Sequence, residues 1–192
     1  MLIEANHFDI NDFQSWVFYP GMLFSSPDKW WGDLGQRDFP HEGIDFCLYR
    51  DDSGRIVRLD HKTRLPAMHN GTVRSTFTDY LGQGVIVEHD DAPSQDGRLV
   101  SIYAHTIPLD RIRPGYRVTE GEIIATIADV SHSKATIYPH LHYTIGKPAA
   151  GIVYNGFVWN DMREPDWFVL LNPLSIIDWP YRILAPKTKR KD

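Results

Sequence analysis

Short runs rich in β-branched and aromatic residues, each closed by a turn signal, dominate residues 43–145. Residues 43–50 read G-I-D-F-C-L-Y-R, break at Asp51-Asp52-Ser53-Gly54, and resume over 55–59, which is the pattern of a hairpin. Runs at 72–77, 84–89 and 99–105 follow, the last two separated by a polar loop over 90–97. Pro114-Gly115 and Glu120-Gly121 then punctuate the chain ahead of runs at 123–128 and 140–145. No helical period of similar strength lies between them. The pattern therefore predicts a mainly β fold: an antiparallel sheet, a sandwich or an open barrel.

The flanks read differently. Residues 1–38 carry Trp16, Phe18, Tyr19, Pro20, Trp30 and Trp31 with little periodicity beyond a short helix around 12–16. They are expected to form a loop-rich, aromatic arm packed on a domain that spans 39–180. Within that domain, 146–166 is a second loop-rich region with Trp159, and Trp167 lies just beyond it. A run at 168–171 then leads into Asn172-Pro173-Leu174, the start of a short closing helix. Residues 181–192 read as a solvated tail with a basic run at Lys187, Lys189, Arg190 and Lys191.

Composition excludes several classes. With 42% hydrophobic and 23% charged residues among 192, the chain can build a core without disulfides or structural metals. A formal charge of −5 gives no general attraction for nucleic acid or an anionic membrane surface, so no nucleic-acid partner is expected. Cys47 is the single cysteine, which rules out an intramolecular disulfide and any metal site needing two thiolates from one chain. No apolar run approaches the roughly 20 residues needed to span a bilayer, so no integral membrane segment is expected. The first ten residues, M-L-I-E-A-N-H-F-D-I, lack the basic and apolar regions of a signal peptide. That is the expectation for a cytoplasmic protein or a mature, trimmed form.

The nine histidines are informative through spacing. His140-Leu141-His142 falls in an expected strand, where residues i and i+2 share a face, roughly 6.6 Å apart along the axis. Two imidazoles so placed can share a metal, or one can bind it while the other reaches the bound ligand; spacing leaves open which. His41 and Asp45 would lie about 13 Å apart in extended chain and can meet at one ion only if the backbone bends between them. Gly43 permits such a bend. His105 ends the run 100–105 and could terminate a strand beside the others.

Taken together and in this order, His41-x3-Asp45, Tyr103-Ala104-His105 and His140-x-His142 on a β-rich chain resemble the lysostaphin-type, LytM-like zinc endopeptidases. Framing residues extend the resemblance over about 39–146: Gly43-Ile44-Asp45-Phe46, Gly71-Thr72-Val73, Gly84-Val85-Ile86-Val87-Glu88-His89, Val118-Thr119-Glu120-Gly121-Glu122 and His140-Leu141-His142-Tyr143. The resemblance implies a compact antiparallel β domain of the duplicated-hybrid-motif type. It implies one zinc ion bound by His41, Asp45 and His142, with His105 and His140 as catalytic histidines. The implied substrate is the peptide part of bacterial peptidoglycan, which places the expected site of action in the periplasm or outside the cell.

Three protein ligands and a water molecule make a catalytic rather than a structural zinc site. Histidine suits the proton transfers such hydrolysis needs at neutral pH, and no His-Glu-x-x-His helix supplies a glutamate base. Glu42 is read as a bystander. Two alternatives are a catalytically inactive binding or activator module of the same fold, and a phosphocarrier or lipoyl-like carrier. The first predicts broken ligand positions; a lipoyl-type carrier needs a lysine at a hairpin tip, where Glu120-Gly121 offers none. The sequence departs from the family at 128–139, which lacks the usual glycines, and at 147–168, which is longer and more aromatic. The loop 131–139 and the insertion 147–166 are expected to flank the metal and shape substrate choice. His132 is a minor candidate for substrate contact; His7, His61, His69 and His89 read as structural.

Overall fold

A computed structural model of the chain describes residues 2–8, 13–90, 98–134, 136–154, 156 and 159–186. A single helical turn, α1 (Leu2–Ala5), precedes β1 (Phe13–Phe18), β2 (Ile44–Phe46), β3 (Leu48–Asp51), β4 (Ile56–Arg58), β5 (Arg64–Pro66) and β6 (Gly71–Thr78). β7 (Gln83–His89), β8 (Val100–Pro108), β9 (Arg117–Val118), β10 (Ile123–Ile127), β11 (Leu141–Pro148), β12 (Phe168–Leu171) and β13 (Tyr181–Ile183) follow. The large sheet runs β12-β11-β8-β7-β6-β9, with β2 added to β11 and β10 bridging β8 and β5. A smaller sheet runs β13-β1-β3-β4. The mainly β, antiparallel architecture expected from the punctuated runs is the one found. β1 and β13, which pair in parallel, are the exception among the described residues.

Alternation along the strands decides what each face carries. On the large sheet Val85, Val87, Tyr103, Leu141, Tyr143 and Ile145 point to one side and join the main core with Trp16, Phe18, Phe46 and Tyr49. Ile86, Val100, Ile102 and Ala104 point to the other side, where Tyr154, Trp159, Met162 and Phe168 cover them. His142 shares this second face with Thr144, so the same register that buries Leu141 and Tyr143 turns the histidines away from the main core.

Several expectations change in detail. Residues 13–16 belong to a strand, not a helix: β1 pairs with β3 from Phe13↔Asp51 to Val17↔Leu48, and this pairing overrides a weak local helical signal. Asp12 lies outside the described residues. The run at 43–50 is two strands, since β2 pairs with β11 whereas β3 pairs with β1 and β4; the chain changes sheet at Cys47, which is fully buried. β5 is a strand that no sequence pattern announced. The closing helix is a single 3-10 turn, Pro173–Ser175, capped by Asn172 Oδ1 accepting from Leu174 N at 3.1 Å. Tyr181–Ile183 extend the small sheet beside β1. The basic run at 187–191 and most of the loop at 90–97 lie outside the described residues. Among the described residues no helix is long and apolar enough to cross a membrane.

Candidate metal centre

Asp45 and His142 are direct cross-strand partners in the β2–β11 pair, which brings their side chains together on one face. His41 reaches the same point because the chain bends over 42–43. Gly43 is required there for a reason other than backbone freedom: a Cβ would sit 2.3 Å from the Tyr143 carbonyl oxygen. The three side chains are buried. His41 Nε2 lies 3.1 Å from Asp45 Oδ1, His142 Nδ1 lies 3.0 Å from the same oxygen, and the two nitrogens are 3.0 Å apart.

The remaining ring nitrogens have protein partners of their own. His41 Nδ1 donates to Leu23 O at 3.0 Å, leaving Nε2 with a lone pair. His142 Nε2 faces Thr144 Oγ1 at 2.9 Å, which leaves Nδ1 as the ligand atom. Burial would raise the Asp45 carboxyl, but the neighbouring His41, His140 and His142 hold it well below the usual carboxylate range. Two imidazole nitrogens and a carboxylate oxygen therefore converge, and His41, Asp45 and His142 are a cluster able to hold a metal ion. Donors about 2.0–2.1 Å from a tetrahedral zinc ion lie roughly 3.3 Å apart, close to the spacings seen. The donor set fits zinc.

His140 and His105 stand beside this cluster. His140 immediately precedes β11; its Nδ1 donates to Tyr138 O at 2.8 Å, and its Nε2 lies 3.8 Å from Asp45 Oδ1. Burial outweighs the pull of Asp45 and pushes His140 down to about 3. The rings of His105 and His140 are 4.8 Å apart, centroid to centroid. His105 occupies an unusual backbone position, with φ of 61°. The β7–β8 register slips between Gln83↔Thr106 and Val85↔Tyr103, so a bulge in β8 re-aims the side chain. Asp79 pins the bulge: its Oδ2 accepts from His105 N at 2.6 Å and lies 3.2 Å from His105 Nδ1, without hydrogen-bond alignment to that ring atom.

A groove opens over the cluster. Its walls include Ile137 of the loop at 131–139, Trp159 and Arg163 of the insertion at 147–166, and Trp31 and Arg37 of the arm. Both loops expected to flank the cluster do so. Trp159 stands 5.0 Å from the His142 ring, nearly perpendicular to it. Glu42 is more than a bystander in the fold, since its Oε1 accepts from Arg163 Nε at 2.6 Å, and Arg163 also stacks on Phe39 at 4.3 Å. Sequence reasoning did not single out Trp30, Arg37 and Asp79, which come from irregular segments with no motif, nor Arg163, which ends a 3-10 turn (Asp161–Arg163) within the expected insertion. His132 is exposed and does not line the groove. His89 bonds Ser101 Oγ at 2.8 Å in the structural role expected of it.

An antiparallel β domain with a buried His/Asp/His cluster at the floor of a groove has the layout of a metallopeptidase. The sequence model of peptidase family M23 matches residues 40–154, more than half of the chain, and the protein belongs to that family. Among solved structures, lysostaphin is similar at 18% identity with a TM-score of 0.50, over 87% of this chain and 51% of that one. The catalytic domain of a mutant of EnpA, a prophage-encoded M23 protein from Enterococcus faecalis, aligns at 20% identity and a TM-score of 0.43, over 85% and 95% of the two chains. A zinc-containing peptidase from Vibrio cholerae aligns at 19% and 0.43, over 69% and 37%. The chain thus spans about half the length of lysostaphin and little more than a third of the Vibrio cholerae peptidase. No curated protein matches the sequence.

Proposed function

We propose that this protein is a zinc endopeptidase that hydrolyses peptide bonds in the stem peptides or cross-bridges of bacterial peptidoglycan. In this reading His41, Asp45 and His142 hold the ion, and His105 and His140 are the catalytic histidines. The observation that carries it is the convergence of three metal-donor atoms within 3.0–3.1 Å of one another, with two further imidazoles alongside. Membership in peptidase family M23 supports the hydrolytic class. The resemblance of its motifs to the lysostaphin-type zinc endopeptidases supports the metal and the wall substrate, and lysostaphin itself shares the fold.

A bound zinc ion supplies Lewis acidity, polarising the scissile carbonyl and making a water molecule a better nucleophile. The chain's own residues do the rest. With its Nδ1–H committed to Tyr138 O, His140 presents an unprotonated Nε2 towards the cluster. His105 faces it across the groove mouth, and the pair can take up a proton from water and return one to the leaving amine. Trp31 and Trp159 offer apolar walls that exclude water, and Arg163, braced by Glu42, puts a positive charge on the same rim. Such a substrate lies outside the cytoplasm, so action in the periplasm or at the cell exterior follows from the reading.

The test is incubation with purified peptidoglycans of differing cross-bridge, followed by mass analysis of the fragments. New amino termini at a peptide bond, lost on chelation and restored by zinc, are expected. Intact peptides in every preparation, from protein carrying one equivalent of zinc, would sink the endopeptidase reading.

A further inference from the structure

The family match begins at residue 40, yet the segment before it reaches the metal-donor cluster. Arm residues 27–37 form a tight loop, closed by Lys29 N donating to Gly35 O at 2.8 Å, Arg37 N to Pro27 O at 2.7 Å and a bridge between Asp28 and Gln36. Gly21 lets this loop lie against the preceding turn, since a Cβ there would meet Asp28 O and Trp30 N at 2.8 Å. At its base Trp30 is 2% exposed, and its Nε1 donates to Asp45 Oδ2 at 2.7 Å. The guanidinium of Arg37, fixed by bonds to Gly21 O and Asp28 O, stands 3.6 Å from the same oxygen.

The two oxygens of Asp45 therefore have separate partners. Oδ1 faces His41 and His142; Oδ2 is taken by Trp30 and approached by Arg37. The arm also supplies Leu23 O, which sets the His41 tautomer. We infer that Trp30 is a positioning residue of the metal centre: its indole N–H holds Asp45 so that one oxygen is offered to the ion and the other is withheld, making the arm a working part of the site. This rests on the reading that His41, Asp45 and His142 bind a metal. Hydrogen bonds to ligating carboxylates and histidines commonly set metal affinity by about 10–100-fold.

Trp30→Phe keeps the ring and removes the donor. In the full chain, zinc affinity measured by competition with a chromophoric chelator is expected to fall about 10–100-fold. The visible spectrum of the cobalt-loaded variant should also change, because a released Oδ2 alters the coordination that the band shape reports. A purely structural role would lower the melting temperature of the metal-free protein while leaving affinity and spectrum as in wild type, and that result overturns the inference. Should the variant not fold, the assigned indole N–H resonance of Trp30 in wild-type protein decides. It is expected to shift on zinc addition, and a resonance that stays fixed overturns the inference. Wild-type protein that takes up no zinc overturns the reading of the site itself, which separates the two failures.

Discussion

Gly43 crosses β11 so closely that a Cβ on it would lie 2.3 Å from the carbonyl oxygen of Tyr143 and 2.7 Å from Thr144 Oγ1. That contact sits between His41 and Asp45 in sequence and beside the His142 partner Thr144 in space. It couples the bend at 42–43 to the strand carrying His142. Gly43→Ala must push the two segments apart. Overpacking of this kind costs about 1–3 kcal/mol. The expected outcome is a lower melting temperature together with weakened zinc binding, read by thermal unfolding with and without chelator. Full zinc affinity in Gly43→Ala would show that the crossing does not set the donor geometry.

The histidines of the site should separate into two classes. His142→Ala removes a donor atom and is expected to lose zinc and hydrolysis together. His140→Ala and His105→Ala leave the three donors in place and should keep about one zinc, while losing roughly 10²–10⁴-fold in rate as positioned acid–base groups do. Zinc stoichiometry and peptidoglycan hydrolysis, measured side by side, check this. Loss of metal from His140→Ala with retention in His142→Ala would reverse the assignment.

On the core side of the sheet, His89 provides a pH test that does not involve the groove. Burial, helped by the neighbouring His69 ring at 4.3 Å, pushes His89 down to about 3. Its unfolded value is about 6.5. Between these values the unfolded chain takes a proton that the folded chain refuses. Stability from this group is therefore complete above about pH 6.5 and falls as pH drops towards about 3, by up to about 1.4 kcal/mol per pH unit. Urea unfolding of chelated protein should show a shallower acid slope for His89→Gln than for wild type. Parallel slopes would mean that His89 is not held neutral.

The strands and the His-x-His alternation were legible in the sequence because a period of two, with Leu141 and Tyr143 facing one way and His140 and His142 the other, follows directly from strand geometry. The bend before Asp45 was legible from distance alone, but its cause was not: Gly43 reads as flexibility, and only the approach of β11 shows that it is clearance. Trp30 and Arg37 were not legible as site residues, and for Trp159 and Arg163 only the insertion that carries them was. They sit in aperiodic segments, and what brings them to the groove is tertiary contact such as Arg163 to Glu42, 121 positions apart. The bulge at His105 left no mark either, since it arises from Asp79 and from register slippage against β7.

Asp79 should govern His105 without touching the metal donors. Its Oδ2 accepts from His105 N at 2.6 Å, while Oδ1 accepts from Leu81 N at 2.8 Å and Gly82 N at 2.7 Å. Burial would raise this carboxyl, but the His105 side chain, its charge and these backbone donors bring it down to about 2. The stabilisation is therefore present above the unfolded value near 3.9 and is lost as pH falls through about 2, far below any pH used for assay. Asp79→Ala frees three backbone donors and removes the clamp on a residue held at φ 61°. A loss of about 1–3 kcal/mol in stability is expected, the usual cost of orphaned buried donors. The β8 bulge should relax, and His105 should swing from its place 4.8 Å from His140. Hydrolysis should fall nearly as far as in His105→Ala, while zinc content stays at about one equivalent. Asp79→Asn keeps an acceptor oxygen for the bulge and should recover part of the rate. If Asp79→Ala hydrolyses peptidoglycan as fast as wild type, His105 is either placed by other contacts or idle in the reaction, and the His105→Ala variant tells these apart.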